Sequence, residues 1–374
     1  MKTKNRLSVL LTVMLSSITL IAQENDLPVK EEEVTFSSGD AVYSGTLSMP
    51  AADGVYPLVI MVSGMGPQDR DWAFANGKYK MAKIISDYLN QNGIAVYRYD
   101  DRGYQKSTGT PEGQMSFEDL AHDVQNAVSM FRTRKDIGKI GLCGHSLGGI
   151  LAVISAAENK NIDFIITVSG AFRNGADIMK EQAATLKRWR TSDSMTDQEV
   201  IANGVQFVDY LVSYANSGNG EEKIRQGIEN LVNYQISKLS PEKMAQNLKI
   251  FKNREDMFNQ SVNEAYTFYT SPHQKSFVTY NAADDISKIT CPMLVLFGEI
   301  DKHVVVSSNM PPVAEGLKNS KITDFTMIII PGADHGYSNS TLVKEGRMVP
   351  VTLTAMTNWI LTRTGSSTSV HAGN

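Results

Sequence analysis

The stretch KIGLCGHSLGGILA, residues 139–152, places a serine between two glycines where an apolar run gives way to a helix-like segment. KIGLCG is typical of a buried strand, and LGGILAVISAAEN is typical of a helix of small residues. A serine at this junction predicts a nucleophile elbow at Ser146, in which Gly144 and Gly148 let the strand and the helix approach closely. The alternative is a glycine-rich loop without chemistry, so the rest of the chain must supply partners for Ser146.

Apolar runs on both sides of this stretch alternate with helical periodicity. EEEVTFSSGDAVYSGTLSM (31–49) predicts a β-hairpin, YPLVIMVSG (56–64) a strand buried on both faces, and KYKMAKIISDYLNQNG (78–93) a helix. The alternation continues to DFIITVSGAF and resumes from CPMLVLFGEID to the closing helix PVTLTAMTNWILTRT. It predicts an α/β fold with a mostly parallel twisted sheet and helices on both faces.

A long helical insertion interrupts this alternation. Residues 174–289 follow the fourth strand of the parallel part and contain helical patterns without a buried strand, which predicts a helical cap. The core of the fold is then predicted in two parts, residues 23–173 and 290–364. The last residues, 365–374, predict a disordered tail.

The N-terminus has the pattern of a targeting segment. MKTKNR is basic, LSVLLTVMLSSITLIA is apolar, and the following residues turn abruptly polar, which predicts a signal peptide over residues 1–22 with cleavage near Ala22. The apolar run is shorter than a bilayer-spanning helix usually needs, although an uncleaved anchor is the alternative. We therefore expect an exported protein, periplasmic or secreted, without stable membrane insertion after cleavage.

The composition narrows the function classes. The chain of 374 residues is 42% hydrophobic and 20% charged, with a formal net charge of -4, as in soluble globular proteins. It lacks a dense basic cluster, which argues against nucleic acid as a partner. Cys143 and Cys291 adjoin strand-like runs and are expected to be buried thiols. The sequence lacks paired metal-ligand spacings, so neither a metal nor a cofactor is expected.

Ser146 requires a general base, and histidine is the usual one. His335 ends the strand pattern FTMIIIPGADH and is the best candidate, because catalytic groups gather at the carboxyl ends of parallel strands. His303, which closely follows the strand MLVLFG, is its rival.

A carboxylate must orient the base and stabilise its imidazolium form. Asp301, just past the preceding strand, is the predicted partner, and Glu299 is the fallback. Asp334 adjoins His335 in the chain, so it is poorly placed to accept a hydrogen bond from the far side of the ring.

Two backbone N–H groups are predicted to form an oxyanion hole. One is that of Leu147 at the start of the helix, and the other is that of Met65 in the loop SGMGPQDRDW after the first buried strand. In the same loop Gln68 and Arg70 have two open interpretations. They either line a substrate site or brace the loop through salt bridges.

Five segments together resemble a known family: VSGMGPQDRDW, YRYDDRGYQKSTG, GHSLGG, CPMLVLFGEIDKHV and PGADH. They are similar to the bacterial α/β-hydrolases of the serine aminopeptidase-like and dienelactone hydrolase-like groups, and most of all to a subgroup of secreted or cytoplasmic carboxylesterases. The chain order serine, aspartate, histidine is also that of α/β-hydrolases. The resemblance covers the chain after the predicted signal peptide, apart from the insertion.

Carried over by position, the resemblance implies Ser146 as the nucleophile, Asp301 as the acid and His335 as the base, with oxyanion donors at Met65 and Leu147. This sequence departs from the family at two positions. Gln105 stands where the family usually has glycine, and Ser63 stands where a histidine is common.

Three functions are compatible with this pattern. The first is an exported serine esterase that acts on small-molecule esters with short acyl chains and needs no cofactor. The second is a serine peptidase that acts on short peptides through the same triad, with an acidic pocket drawn from residues such as Glu181, Glu221 and Glu255 of the insertion. The third is a non-catalytic binding protein on a hydrolase scaffold.

Overall fold

The computed structural model of the chain describes residues 28–186 and 188–365. The predicted signal peptide lies outside these ranges, as does the predicted tail beyond Gly365. The strands are β1 (Val29–Ser38), β2 (Ala41–Pro50), β3 (Tyr56–Val62), β4 (Ala73–Phe74), β5 (Tyr79–Lys80), β6 (Ala95–Tyr99), β7 (Ile137–His145), β8 (Phe164–Val168), β9 (Met293–Gly298) and β10 (Phe325–Ile330).

The helices are α1 (Met81–Gln91), α2 (Phe117–Phe131), α3 (Leu147–Glu158), α4 (Gly175–Leu186), α5 (Asp197–Ser217), α6 (Glu221–Ser237), α7 (Pro241–Asn247), α8 (Arg254–Tyr269), α9 (Pro272–Thr279), α10 (Ala282–Ile286), α11 (Val306–Asn319) and α12 (Pro350–Thr364). A short 3₁₀ turn, Glu112–Gln114, precedes α2.

An eight-stranded sheet organises the chain, in the order β1-β2-β6-β3-β7-β8-β9-β10. The pairings of β1 with β2 and of β2 with β6 are antiparallel, and all the following pairings are parallel. Apolar side chains of α2, α3, α10 and α11 pack on one face, and those of α1 and α12 pack on the other. This architecture confirms the predicted fold class.

Local sequence explains the main elements. The β1–β2 hairpin turns at Gly39, whose φ of +56° is a conformation that favours glycine. Strands β6 and β8 are buried along their whole length, as expected for central strands covered by helices on both faces. Helix α2 begins with a capping box in which the Ser116 side chain accepts a hydrogen bond from the Asp119 N–H.

The helix predicted over residues 78–93 begins later, at Met81. Tyr79 and Lys80 instead pair with Phe74 and Ala73 in a short two-stranded sheet. The Tyr79 hydroxyl donates a hydrogen bond of 2.5 Å to the carbonyl of Gly336, far along the chain. Because this partner is distant in sequence, helical periodicity alone could not locate the start of α1.

Helices α4 to α10 fill the interval between β8 and β9. They have a hydrophobic core of their own, formed around Trp189, Phe207, Leu211 and Ile224. Helix α9 joins this segment to the sheet domain, where the Ser276 hydroxyl accepts a hydrogen bond of 3.2 Å from the Phe117 N–H at the start of α2. The boundaries 174 and 289, and the role of this segment as a cap, stay predictions. Throughout the two described ranges, none of the helices is both long and apolar enough to cross a bilayer.

Candidate active site

Ser146 occupies a strained turn between β7 and α3. Its φ of +53° and ψ of −114° lie outside the regions that residues with side chains favour. The turn is held by a hydrogen bond of 2.9 Å from the Ser146 N–H to the carbonyl of Val168, at the end of the neighbouring strand β8. This is the strand-to-helix setting that a nucleophile elbow requires.

The two glycines around Ser146 are sterically required. A Cβ atom added to Gly144 would lie 2.0 Å from the carbonyl oxygen of Gly148, and one added to Gly148 would lie 2.1 Å from the carbonyl oxygen of Val62. Both obstacles are backbone atoms, which cannot move aside without shifting a strand. The elbow therefore tolerates only glycine at these positions.

Replacing Gly148 with alanine is expected to lower the free energy of unfolding by about 3 kcal/mol, because the methyl group must displace the backbone of β3. Gly113→Ala is the matched control. A Cβ at Gly113 meets no atom within 4 Å, so this change is expected to stay within about 0.5 kcal/mol. Chemical denaturation of both variants measures the difference, and equal stabilities would contradict the close packing of the elbow.

The structure brings Asp301 and His335 together at the carboxyl ends of β9 and β10. The Nδ1 atom of His335 lies 2.8 Å from Asp301 Oδ2. The same oxygen accepts a hydrogen bond of 2.8 Å from the Ser169 hydroxyl. The other oxygen, Oδ1, accepts hydrogen bonds from the N–H groups of His303 and Val304, at 2.8 and 2.9 Å. The Asp301 side chain is completely buried, so these bonds replace its solvent.

These contacts define the charge of Asp301 and the tautomer of His335. Burial raises the pKa of Asp301, but the hydrogen bond from His335 and those from Val304 and Ser169 outweigh it and hold the pKa below its usual value. An ionised Asp301 assigns the proton of neutral His335 to Nδ1, which leaves Nε2 free to accept a proton. His335 therefore has the orientation that a general base needs.

The other acidic candidates are engaged elsewhere. Asp334 Oδ1 accepts hydrogen bonds from the N–H groups of Gly336 and Ser338, both at 3.0 Å, and so stabilises the loop that contains it. Glu299 accepts one of 2.9 Å from the N–H of Gly332. The rival histidine, His303, stands beside His335 with a ring separation of 5.0 Å, and burial lowers its pKa.

His145 is a neighbour that sequence reasoning underrated. Its Nε2 atom lies 3.0 Å from the carbonyl oxygen of His335. Burial, reinforced by the proximity of His335, lowers the pKa of His145 to about 3, so the ring stays neutral and can donate from Nε2 to that carbonyl. This bond ties the residue before Ser146 to the loop that carries His335.

Both residues predicted as oxyanion donors belong to segments next to Ser146. Leu147 is the first residue of α3, so its N–H has no acceptor within the helix. Met65 lies in the loop after β3, and a Cβ atom added to the adjacent Gly64 would lie only 3.4 Å from Ser146 Cβ. The loop thus passes directly beside the elbow, although the donor roles of Met65 and Leu147 stay predictions.

The contacts of Arg70 support the interpretation in which it braces the loop after β3. Its Nη2 atom lies 2.7 Å from Asp100 Oδ2, and its Nη1 atom lies 2.8 Å from Glu33 Oε2. It also donates to the hydroxyl groups of Ser44 and Thr46. These partners occupy the guanidinium group and fasten the loop after β3 to strands β1 and β2 and to Asp100, just after β6.

Gln68 faces the interior of its loop. Its backbone N–H donates a hydrogen bond of 2.6 Å to Asp101 Oδ2, and its side-chain Oε1 is buried without a hydrogen-bond partner among the described residues. The family position that departs from glycine, Gln105, keeps a φ of +50°. The loop therefore retains the left-handed backbone for which glycine is favoured.

The two cysteines, Cys143 and Cys291, are free thiols, the first of them buried. Among residues 28–186 and 188–365, no group of three or more histidine, cysteine, aspartate or glutamate side chains is arranged to hold a metal ion.

Part of the chain is similar in sequence to a known family and to several curated proteins. The family model described as serine aminopeptidase, S33, matches residues 76–226, a range that includes Ser146. Esterase EstD of Thermotoga maritima is 28% identical over 167 residues, 44% of this chain and 40% of EstD. Protein phosphatase methylesterase 1 of Schizosaccharomyces pombe is 27% identical over 135 residues, 34% of this chain and 36% of that protein. The chain thus spans less than half the length of the curated relatives it matches.

Solved structures extend the match over most of the chain. The Pyrococcus furiosus esterase Pf2001 has a TM-score of 0.54 and 14% identity, covering 91% of this chain and 94% of the esterase. The α/β hydrolase GrgF of Penicillium sp. sh18 has a TM-score of 0.53 and 17% identity, covering 91% of this chain and all of GrgF. At these identities the likeness shows the fold: together with the sheet order described above, it means that the chain has the α/β-hydrolase fold.

Proposed function

We propose that the chain is an exported serine hydrolase that cleaves carboxylic esters with short acyl groups. The observation that carries the proposal is the 2.8 Å bond between His335 and the buried Asp301, at the edge of the sheet where Ser146 occupies its elbow. The esterases among the relatives and structural neighbours support the choice of an ester as substrate.

The reaction follows from the roles of these groups. Ser146 Oγ attacks the carbonyl carbon of the ester while His335 Nε2 takes the hydroxyl proton, and the N–H groups of Met65 and Leu147 hold the oxyanion. His335 then gives the proton to the oxygen of the leaving alcohol as the carbon–oxygen bond breaks. Water attacks the acyl-enzyme in the same manner, which releases the acid and restores Ser146.

A peptidase with the same triad is the second candidate, favoured by the description of the matched family model. An aminopeptidase needs an acidic group for the ammonium group of its substrate. Glu181 is paired with Arg173 at 3.3 Å and accepts a hydrogen bond of 3.1 Å from the Ser308 hydroxyl. Glu221 accepts one from the Tyr266 hydroxyl, and Glu255 is exposed in the first turn of α8. The engagement of Glu181 and Glu221 makes the esterase our preferred proposal.

A substrate panel separates the candidates. We expect the mature protein to hydrolyse p-nitrophenyl acetate and butyrate faster than the octanoate, and all of them faster than aminoacyl p-nitroanilides. Dominant turnover of the anilides would assign the protein to the peptidases. Failure to turn over either class, together with failure of a fluorophosphonate to label Ser146, would instead leave a non-catalytic binding protein.

Export is proposed from residues 1–22 alone, whose basic, apolar and polar regions follow the order of a signal peptide. N-terminal sequencing of the protein recovered from the periplasm or the medium is expected to begin near residue 23. Recovery of the intact N-terminus in the membrane fraction would favour the anchor instead.

A further inference from the structure

The loop that carries Met65 is fastened at both ends to one buried carboxyl group. The Ser63 hydroxyl donates a hydrogen bond of 2.5 Å to Asp101 Oδ1, and the Gln68 N–H donates one of 2.6 Å to Asp101 Oδ2. The Asp101 N–H returns a hydrogen bond of 3.0 Å to the Gln68 carbonyl. Asp101 is only 4% exposed, so its position is set by the core and not by solvent.

A second buried carboxyl group lies beside Asp101. Burial, and after it the neighbouring Glu112 in the 3₁₀ turn before α2, raise the pKa of Asp101, and Glu112 also interacts with the N–H of Gly66, next to Met65. Burial raises the pKa of Glu112 to about 8, and two buried carboxyl groups that repel each other are not both charged at neutral pH. Because the donors from Ser63 and Gln68 converge on Asp101, we assign the negative charge to Asp101 and the proton to Glu112.

Helix α9 places a histidine beside this proton. His273 Nε2 lies 3.4 Å from Glu112 Oε1, and the His273 side chain is 1% exposed. Neither ring nitrogen of His273 has a hydrogen-bond partner in the described part of the chain, and Glu112 Oε1 likewise has none. Burial lowers the pKa of His273 to about 4, so the ring is neutral, and its Nε2 lies beside the proton assigned to Glu112, in contact at 3.4 Å without forming a hydrogen bond.

We propose that Asp101, Glu112 and His273 form a positioning network, which sets the Met65 N–H against the oxyanion and makes this geometry depend on the placement of helix α9. The inference rests on the proposed function. It gives the helical segment a part in catalysis that does not require contact with substrate, since α9 acts through Glu112 on the loop beside Ser146.

Two pairs of variants test the network by steady-state kinetics with p-nitrophenyl butyrate. His273→Ala is expected to lower kcat about 10-fold with KM changed less than about twofold, because loosening an oxyanion donor affects the transition state more than substrate binding. The matched control, Thr279→Ala, changes an exposed residue at the other end of the same helix, whose hydroxyl donates to the Lys275 carbonyl within the helix, and is expected to keep kcat. Equal losses in both variants would show a merely structural effect and overturn the proposal.

The second pair changes the carboxyl group. Glu112→Leu is expected to lower kcat at least about 10-fold, and Glu112→Gln, which keeps a donor for His273 and an acceptor for the Gly66 N–H, is expected to recover most of this loss. The double variant Glu112→Leu with His273→Ala is expected to lose no more than Glu112→Leu alone, because both changes break one chain of contacts. Additive losses would contradict the network.

The pH dependence provides a further readout with a definite sign. As pH rises through about 8, Glu112 loses its proton and places a second charge beside Asp101, so kcat of the wild type is expected to fall. In Glu112→Gln this alkaline decline is expected to be absent, because an amide does not ionise. The charged and titratable groups around the pair are those of Tyr43, Tyr99, Asp100, Arg102, Asp123 and His273. Arg102 is itself paired with Asp123 and Asp40.

Hydrogen exchange separates failure of the network from failure of the proposed function. If the wild type has no Ser146-dependent turnover, the esterase proposal fails, but exchange of the backbone amides of residues 63–70 still reports on the loop. Faster exchange there in Glu112→Leu than in the wild type supports the network, and unchanged exchange overturns it. Should Glu112→Leu not fold, Ser63→Ala removes only the hydroxyl bond to Asp101 and is expected to give the same change on a smaller scale.

Discussion

Replacement of Ser146 with alanine is expected to lower kcat for p-nitrophenyl butyrate by about 10⁵-fold while leaving the fold intact. Alanine removes the only atom of this residue that can form a bond to the acyl carbon. The remaining rate comes from water attacking a bound ester beside the oxyanion donors. Alanine is also smaller than serine at a strained backbone position, so no new contact is introduced at the elbow.

The control for this variant is Ser155→Ala. Ser155 lies on the same helix, α3, and its buried hydroxyl donates a hydrogen bond of 3.2 Å to the Ala121 carbonyl, away from the elbow. We expect it to keep kcat and to lose some stability. Labelling by a fluorophosphonate is expected to require Ser146. Turnover that survives Ser146→Ala would mean that another residue is the nucleophile.

Replacement of Asp301 with asparagine is expected to lower kcat by about 10⁴-fold. The Asp301 carboxylate accepts the proton on His335 Nδ1, whereas an asparagine that keeps the bonds to His303 and Val304 presents its NH₂ group to the ring. The imidazole then takes the tautomer with the proton on Nε2 and cannot accept the proton of Ser146. Because asparagine has nearly the same shape as aspartate, the loss of kcat reports on the changed tautomer of His335 and on the missing negative charge.

Two neighbouring acids provide the controls for Asp301→Asn. Asp334→Asn and Glu299→Gln alter carboxyl groups that serve backbone N–H groups of the β10 loop. Both are expected to change kcat by less than about 10-fold, because they affect His335 only through the position of its loop. A loss in Glu299→Gln as large as that in Asp301→Asn would transfer the acid role to the fallback residue.

The sequence by itself determined the order of the strands and helices and the nature of the elbow. Strands covered on both faces are predominantly apolar, which makes β6 and β8 visible as short runs even though β6 contains Arg98 and β8 contains Thr167. The elbow is visible as a short motif, although its glycines have different causes: Gly144 is required by the carbonyl of Gly148 in the same turn, and Gly148 by the carbonyl of Val62 on β3. Such features follow from short stretches, and a single sequence is enough to predict them.

The tertiary structure decided which side chains meet. Glu112 and His273 are separated by 161 positions (273 − 112), and only the packing of α9 against α2 brings them within 3.4 Å. From the sequence, Arg70 could either bind substrate or brace its loop, and only its partners on β1 and β2 and at Asp100 support bracing. The start of α1 likewise depended on Gly336. Ion pairs and buried proton sites depend on distance and solvent exclusion, which periodicity along the chain does not encode. Contacts of this kind could therefore not be predicted from the sequence.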